Sequence, residues 1–335
     1  MSGQTLKQYV TNGALADIQP YVDNGTIDLN GWEQPLLAAQ TIDGVLYGIP
    51  PGVDGHAIIY NATQLKKLGV DATAANWTWH DFANFVCDVH KKGGEKLWGS
   101  ENNGLGYEAF QVFLAQRGKT MFNKDGSAVG FEAQDLKDWW GFWGDLQAKG
   151  CVVPAEVQQE NGLNPENSGV IKGFGAVDFS TSSQFTNFVS LTPDTLAMAL
   201  YPFGNDGTGG QVWRAGLAWS ITNKSKHADW AAKLISFLVN DSEAGADQGT
   251  TRGVPASPTI RSQVKAMVNE TDALVFKNLA DIQALPDSTI TPVLPAGFST
   301  WLSAFQRTYF EYAFGKKSLD DAVNSFMTEG ASALA

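Results

Sequence analysis

The chain has 335 residues, enough for two domains of ordinary size or one large one, and for a core that needs neither a disulfide framework nor a structural metal. With 43% hydrophobic and 17% charged residues it is a folding sequence and not a disordered one. The 23 Lys and Arg against 35 Asp and Glu leave a net charge of −12, which argues against nucleic acid and against an anionic membrane surface as partners.

The 11 Trp, 8 Tyr and 19 Phe suit either a dense core or a site that stacks the flat apolar faces of a ligand. No run approaches the roughly 18 consecutive apolar residues of a spanning helix. The start, Met1-Ser2-Gly3-Gln4, is polar and lacks the apolar region of a secretory signal, so taken alone it reads as cytoplasmic. Cys87 and Cys151 form no C-x-x-C, and His56, His80, His90 and His227 are scattered, so neither a zinc site nor another metal or cofactor is expected.

Helix-like and strand-like segments alternate along the chain, which points to an α/β fold. A strand is expected over 45–49 after the turn Asp43-Gly44, and a compact apolar strand over 57–60. Thr78 and Asp81 have the spacing of a capping box, and Phe82, Phe85, Val86 and Val89 follow at helical intervals until Gly93-Gly94. The turn 123–126 precedes an expected strand over 128–131. A helix over 132–149 carries Leu136, Trp139, Trp140, Trp143 and Leu146 on one stripe. Strands are expected over 176–179, 196–200 and 216–221. The glycine-rich segment 204–210 lacks the order of a phosphate loop and reads as an ordinary connection. A helix over 227–240 turns Ala231, Leu234, Ile235 and Leu238 inward. A helix over 299–314 passes through Trp301, Leu302, Phe305 and Tyr309, and the last helix starts at Ser318.

Little points to catalysis. There is no G-x-S-x-G elbow, and Gly173-Phe174-Gly175 and Gly104-Leu105-Gly106 are lone glycine pairs. Asp135, Asp138, Asp320 and Asp321 lie at helix starts or on polar faces and read as solvated charge; no carboxylate pair stands out.

Residues 44–61, Gly-Val-Leu-Tyr-Gly-Ile-Pro-Pro-Gly-Val-Asp-Gly-His-Ala-Ile-Ile-Tyr-Asn, closely resemble a segment of the bacterial extracellular solute-binding proteins of ABC transporters, in the carbohydrate-binding branch that includes maltose-binding protein. Further similar pieces follow in family order: Leu65-Lys-Lys-Leu-Gly69, Trp77-Thr-Trp-His-Asp-Phe82, Gly173-Phe-Gly-Ala-Val-Asp-Phe179, 217–226 with Ala231-Ala232, Arg252-Gly-Val-Pro-Ala-Ser257, and 318–322. The resemblance implies a two-lobe periplasmic-binding-protein-like fold of type II. Lobe 1 is expected over 1–53 plus 215–265 and lobe 2 over 57–212 plus 268–335, with hinge crossings near 53–57, 212–216 and 265–269.

Family members carry a signal peptide, often with a lipidated Cys, and then some 80–90 residues of βαβα before a segment like 13–20. The chain is therefore expected to be an N-terminally truncated relative, its first lobe incomplete. For the full-length protein the family's extracellular, membrane-anchored or periplasmic location replaces the cytoplasmic reading.

A sugar presents apolar ring faces and a rim of hydroxyls, so its site needs aromatic platforms and planar polar groups. By position in the family, the resemblance assigns ligand-binding roles to Asp54 and His56 at the hinge, to Asn102, Asn103, Tyr107 and Phe110, to Ser183 where relatives place a Trp, to Trp213 and Arg214, and to Trp301 as a stacking platform. The stripe Trp139, Trp140 and Trp143 reads as core, and Trp77 and Trp79 as packing around a helix start. Cys87 and Cys151 are expected to be two buried thiols, with a disulfide as the alternative.

The function implied is capture of a mono- or oligosaccharide by hinge closure and its delivery to a membrane permease by a monomer that is not an enzyme. The alternatives are a carbohydrate-active lyase or hydrolase, or a binder of another small polar ligand.

Overall fold

The computed structural model describes residues 1–71, 76–161 and 164–334. Its eight strands are β1 (Thr41–Ile42), β2 (Val45–Leu46), β3 (Gly52–Asn61), β4 (Val177–Thr181), β5 (Leu196–Ala199), β6 (Val212–Arg214), β7 (Val254–Pro255) and β8 (Thr289–Ile290). The chain divides into two compact units. Unit 1 comprises Met1–Gly55, Val212–Ala284 and Thr289–Ser299, and unit 2 comprises His56–Gln211, Leu285–Ser288 and Thr300–Ala335. The expected crossing near 265–269 is corrected: the chain stays in unit 1 through Ala284, because the helix Glu270–Gln283 packs there. The cause is visible at Gly55, where a Cβ would collide with Asn278 Oδ1 and Ile282 Cδ1 of that helix.

In unit 1, the first residues of β3 pair antiparallel with β7 (Gly52↔Pro255, Val53↔Val254) and with β6 (Asp54↔Arg214, Gly55↔Trp213). β6 runs parallel to β8. β1 and β2 form a short hairpin whose turn places Asp43 and Gly44 at positive φ. The strand expected over 45–49 shrinks to Val45–Leu46, and the one expected over 216–221 is absent. Its residues instead make single bridges to three separate segments, Leu217 to Ser2, Trp219 to Ile49 and Thr222 to Leu15, so no ladder extends.

The helix Ala228–Asn240 buries Ala232, Ile235 and Val239 and contacts the helices Ser242–Gln248 and Pro258–Lys265. Leu234, expected inside, is 57% exposed and shares an outward stripe with Trp230 and Phe237.

In unit 2, β3 lies between β4 (His56↔Thr181 to Tyr60↔Val177) and β5 (Ile58↔Ala199 to Asn61↔Leu196), both antiparallel. Ala57, Ile58 and Ile59 are fully buried, as a short uninterrupted apolar run requires. The helix Trp79–Gly93 starts with the expected capping box: Thr78 Oγ1 accepts the Asp81 N–H at 3.2 Å, and Asp81 Oδ2 accepts the Thr78 N–H at 2.9 Å. The strand expected over 128–131 is reduced to one bridge, Phe122↔Val129. Asn123 Oδ1 and Asp125 Oδ1 accept the N–H groups of Ala128 and Ser127, a local alternative to ladder pairing.

Trp139, Trp140 and Trp143 on the helix Ala133–Ala148 have no exposed surface; Trp140 meets Phe305, Tyr309 and Phe326 of the two C-terminal helices, Trp139 meets Trp79, Phe110 and Phe113, and Trp143 meets Phe82 and Phe179. Asp135 is buried and not solvated; it closes that helix's own capping box and accepts Lys119 Nζ at 2.7 Å.

Cys87 and Cys151 are joined in a disulfide, with Cα atoms 4.6 Å apart, which overturns the expectation of two thiols. Gly150, at φ +70°, lets the chain double back after the helix Ala133–Ala148, and the Gly99 N–H holds the Cys151 carbonyl at 2.8 Å. Spacing along the chain cannot reveal that return. The bond closes a separation of 64 residues, worth about 4 kcal/mol on the chain-entropy account. Reduction with dithiothreitol should lower the melting temperature of unit 2 by on the order of 10 °C; an unchanged melt would show that the bond adds nothing to stability.

Candidate functional site

Unit 1 presents a carboxylate and a guanidinium on facing strands. Asp54 of β3 is 8% exposed and lies opposite Arg214 of β6, an arrangement in which opposite charges attract across a sheet. The carboxylate is lodged between two glycines. A Cβ on Gly216 would come within 3.0 Å of Asp54 Oδ2, and one on Gly253 within 2.8 Å of Oδ1. Gly253 also sits at φ +92°, where side chains are strained. Trp213 is 8% exposed and pairs with Gly55, next in register to the Asp54–Arg214 pair.

Arg252, beside Gly253, places its guanidinium 4.9 Å from the centre of the Trp219 ring, within range of a cation–π contact. A Cβ on Gly48 would lie 3.0 Å from Gln40 Oε1 and 3.4 Å from Ser220 Oγ. Among the described residues, these two oxygens and Trp219 Nε1 are buried with no hydrogen-bond partner. Buried polar atoms of this kind are uncommon and call for an explanation. Gln40, Trp219, Ser220 and Arg252 were not singled out as site residues by sequence; the signals available were the family-like pieces 217–226, which holds Trp219 and Ser220, and 252–257, which starts at Arg252.

Unit 2 brings His56 and Ser183 to one end of its sheet. His56 is 1% exposed, faces Thr181 in register, and stacks on Tyr201 at 5.4 Å. Thr181 Oγ1 lies 3.4 Å from Ser183 Oγ, and the Tyr201 hydroxyl donates to the Ser180 carbonyl at 3.2 Å. Tyr201 went unmarked in the sequence because nothing near it in the chain shows that its ring lies on His56.

The remaining expected residues are placed elsewhere in unit 2. Asn102 is an internal strut: Oδ1 accepts the Tyr309 hydroxyl at 2.6 Å and the Gly104 N–H at 3.2 Å, while Nδ2 donates to Gln147 at 2.9 Å. Asn103 starts the turn Asn103–Leu105, and Tyr107, 4% exposed, opens the helix Tyr107–Ala115. Phe110 and Trp301 have no exposed surface. Phe110 packs on Phe131, Trp139 and Phe305, and Trp301 on Phe122, Phe305 and Phe326. The stacking platform expected of Trp301, and the ligand contact expected of Phe110, are therefore corrected: both rings are covered by other rings.

A carboxylate pair, Glu101 buried and Asp178 half-buried, also lies in unit 2. Glu101 Oε1 accepts the Gly169 N–H at 2.6 Å. Burial, reinforced by the neighbouring Asp178, pushes the Glu101 carboxyl up to about 8. Burial raises Asp178 to about 6, against the hydrogen bond it accepts from Ser168. Among the described residues no group of His, Cys, Asp or Glu could hold a metal ion. With both folded values raised, the fold holds these protons more tightly than the unfolded chain does. The associated stability is complete below the unfolded carboxylate range and is lost as pH rises through about 6 and then about 8. The melting temperature should therefore fall between pH 5 and pH 9, and Glu101→Gln, which still accepts from Gly169, should flatten that fall. An identical slope in both proteins would rule out Glu101 as the titrating group.

The profile of the family described as bacterial extracellular solute-binding protein matches residues 1–285. A galactooligosaccharide-binding protein of Bacillus subtilis is 22% identical over 97% of this chain and 75% of its own length. A maltodextrin-binding protein of the same organism is 28% identical over 93% of this chain and 71% of its own length. Among solved structures, a periplasmic oligogalacturonide binding protein from Yersinia enterocolitica superposes with a TM-score of 0.86 at 20% identity, covering 100% of this chain and 83% of that one. An extracellular solute-binding protein family 1 member from Alicyclobacillus acidocaldarius gives 0.78 at 24% identity, covering 100% and 83%. These likenesses establish a solute-binding-protein fold, and the profile match over most of the chain establishes its family: the chain belongs to the bacterial extracellular solute-binding proteins.

Proposed function

We propose that the chain captures a mono- or oligosaccharide as the substrate-binding component of an ABC importer and hands it to permease subunits in the membrane. The observation that carries this reading is the profile match over residues 1–285, joined to a sheltered Asp54–Arg214 pair in that span. The relatives named above bind galactooligosaccharide, maltodextrin and oligogalacturonide. An ionised carboxylate accepts two hydroxyl hydrogens and a guanidinium donates to hydroxyl oxygens, which suits a sugar's rim. The Cys87–Cys151 disulfide supports folding in an oxidising compartment, as an extracellular protein requires. No helix among the described residues is long and apolar enough to cross a membrane.

A thermal melt of the chain with maltose, maltotriose, galactobiose and digalacturonic acid tests this reading. A sugar at about 100 times its Kd adds about 2.7 kcal/mol and raises the melting temperature by several degrees, with the sugar recovered intact. Asp54→Ala should weaken that sugar by about 10- to 100-fold, the usual effect of losing hydrogen bonds to a charged group. A chain that melts cooperatively but responds to none of these sugars would overturn the carbohydrate assignment. Product formed on incubation would favour a carbohydrate-active enzyme instead.

A further inference from the structure

A cavity of about 530 Å³ opens in unit 2, within the size range of small-molecule pockets. Segments far apart in the sequence build it. Trp79 heads the helix Trp79–Gly93, Phe142 comes from the helix Ala133–Ala148, and Arg117 follows the helix Tyr107–Ala115. His80, Gln116, Asp138, Asn205 and Asp206 add polar groups to its lining. Asn205 and Asp206 belong to the glycine-rich segment 204–210 that the sequence marks as an ordinary connection.

Its polar groups are held in place before any ligand arrives. Arg117 Nη1 donates to the Phe113 carbonyl at 3.0 Å, and its guanidinium carbon sits 3.4 Å from the centre of the Phe113 ring. Asn205 Oδ1 accepts the His80 N–H at 3.1 Å, and Asp206 Oδ1 accepts the Thr208 N–H at 3.0 Å. Trp79 Nε1 donates to Gln116 at 2.8 Å, which fixes the indole. Nδ2 of Asn205 and Nη2 of Arg117 are left as donors. Fixed donors and acceptors beside a fixed ring are what a preorganised site consists of.

Charge selects the ligand class. Asp138 and Asp206 near Arg117 disfavour an anion. A cation would seek an aromatic face flanked by carboxylates, and Arg117 already takes that place over Phe113. What remains is a neutral molecule with an apolar face for the half-buried Phe142 ring, beside the narrow exposed part of Trp79 (4%), and hydroxyls for Asp138, Asn205, Asp206 and Arg117. We infer that this cavity is a second saccharide site, accommodating one or two pyranose rings and built entirely from unit 2, with no residue in common with the Asp54–Arg214 pair.

Nitrogen-15 NMR of the whole chain tests the inference, with methyl α-glucopyranoside, methyl β-galactopyranoside and maltose titrated to about 50 mM, enough for a millimolar Kd. Saturable shifts are expected at the Trp79 indole N–H and the amides of His80, Ala83 and Asn205, and they should persist in Asp54→Ala. Ala83→Trp, which fills the cavity from a half-buried helix position, should abolish them. Asn205→Asp keeps the acceptor for the His80 N–H but removes the Nδ2 donor, and should weaken binding about fivefold. No sugar-dependent shift at these positions, shifts that survive Ala83→Trp, or a response to tetramethylammonium or inorganic phosphate in place of sugars would each overturn the inference. Loss of the shifts in Asp54→Ala would assign them to the first site and equally overturn it.

Discussion

Ten consecutive residues, Gly52–Asn61, make backbone pairs with four other strands, and both units are organised by this strand. Its first four residues pair within unit 1 and the next ones within unit 2. Apart from Tyr60 every residue in it is buried, so every backbone N–H and C=O must find a partner or cost free energy. That requirement fixes register. Asp54 is set opposite Arg214, and His56 opposite Thr181, because shifting β3 by one residue would take the Asp54 carboxylate out of the gap between Gly216 and Gly253 and put a side chain where Gly55 meets Asn278 and Ile282.

The polar residues of the candidate site depend on small neighbours. Asp54 is accommodated because positions 216 and 253 have no side chain, and β3 can lie against the helix Glu270–Gln283 because position 55 has none. Glycine thus acts in unit 1 through the space it leaves, more than through the conformations it allows. In unit 2 polar atoms are arranged differently. Asn102, Tyr309, Gln147 and Gln158 bond one another in the interior, and Tyr309, fully buried, has its hydroxyl pushed above its ordinary range by that burial. Such a network specifies one packing of the helices but leaves little for a ligand to bond.

The aromatic surplus is divided the same way. Trp139, Trp140, Trp143, Trp301, Phe110, Phe305 and Phe326 form a continuous set of edge-on and stacked ring contacts with no exposed surface. Rings that large bury much apolar area at once and give unit 2 its core. Phe142 is the half-buried ring at the cavity of unit 2, whereas Trp79 and Tyr201 are 4% and 2% exposed and belong largely to the packing.

Helices were the most legible part of the sequence. The capping box at Thr78 and Asp81, the stripe through Trp139 and Trp143, and the starts near 228, 298 and 319 all follow from contacts three or four residues apart, which sequence spacing encodes directly. Family membership was legible too, through short segments in a fixed order along the chain. Strands were less so: 128–131 and 216–221 have strand-like composition, yet side-chain turns and single bridges satisfy their backbones. Asp54 and Arg214 could be named in advance, but the sequence could not show that two glycines cradle the carboxylate, that Tyr201 covers His56, that Trp301 faces rings and not solvent, or that Cys87 meets Cys151. The sequence determined by itself what depends on neighbours in the chain: helix starts, apolar faces, charge and family. Tertiary structure alone decided which polar groups converge and which aromatic faces stay open, because those are set by residues tens or hundreds of positions apart meeting in space.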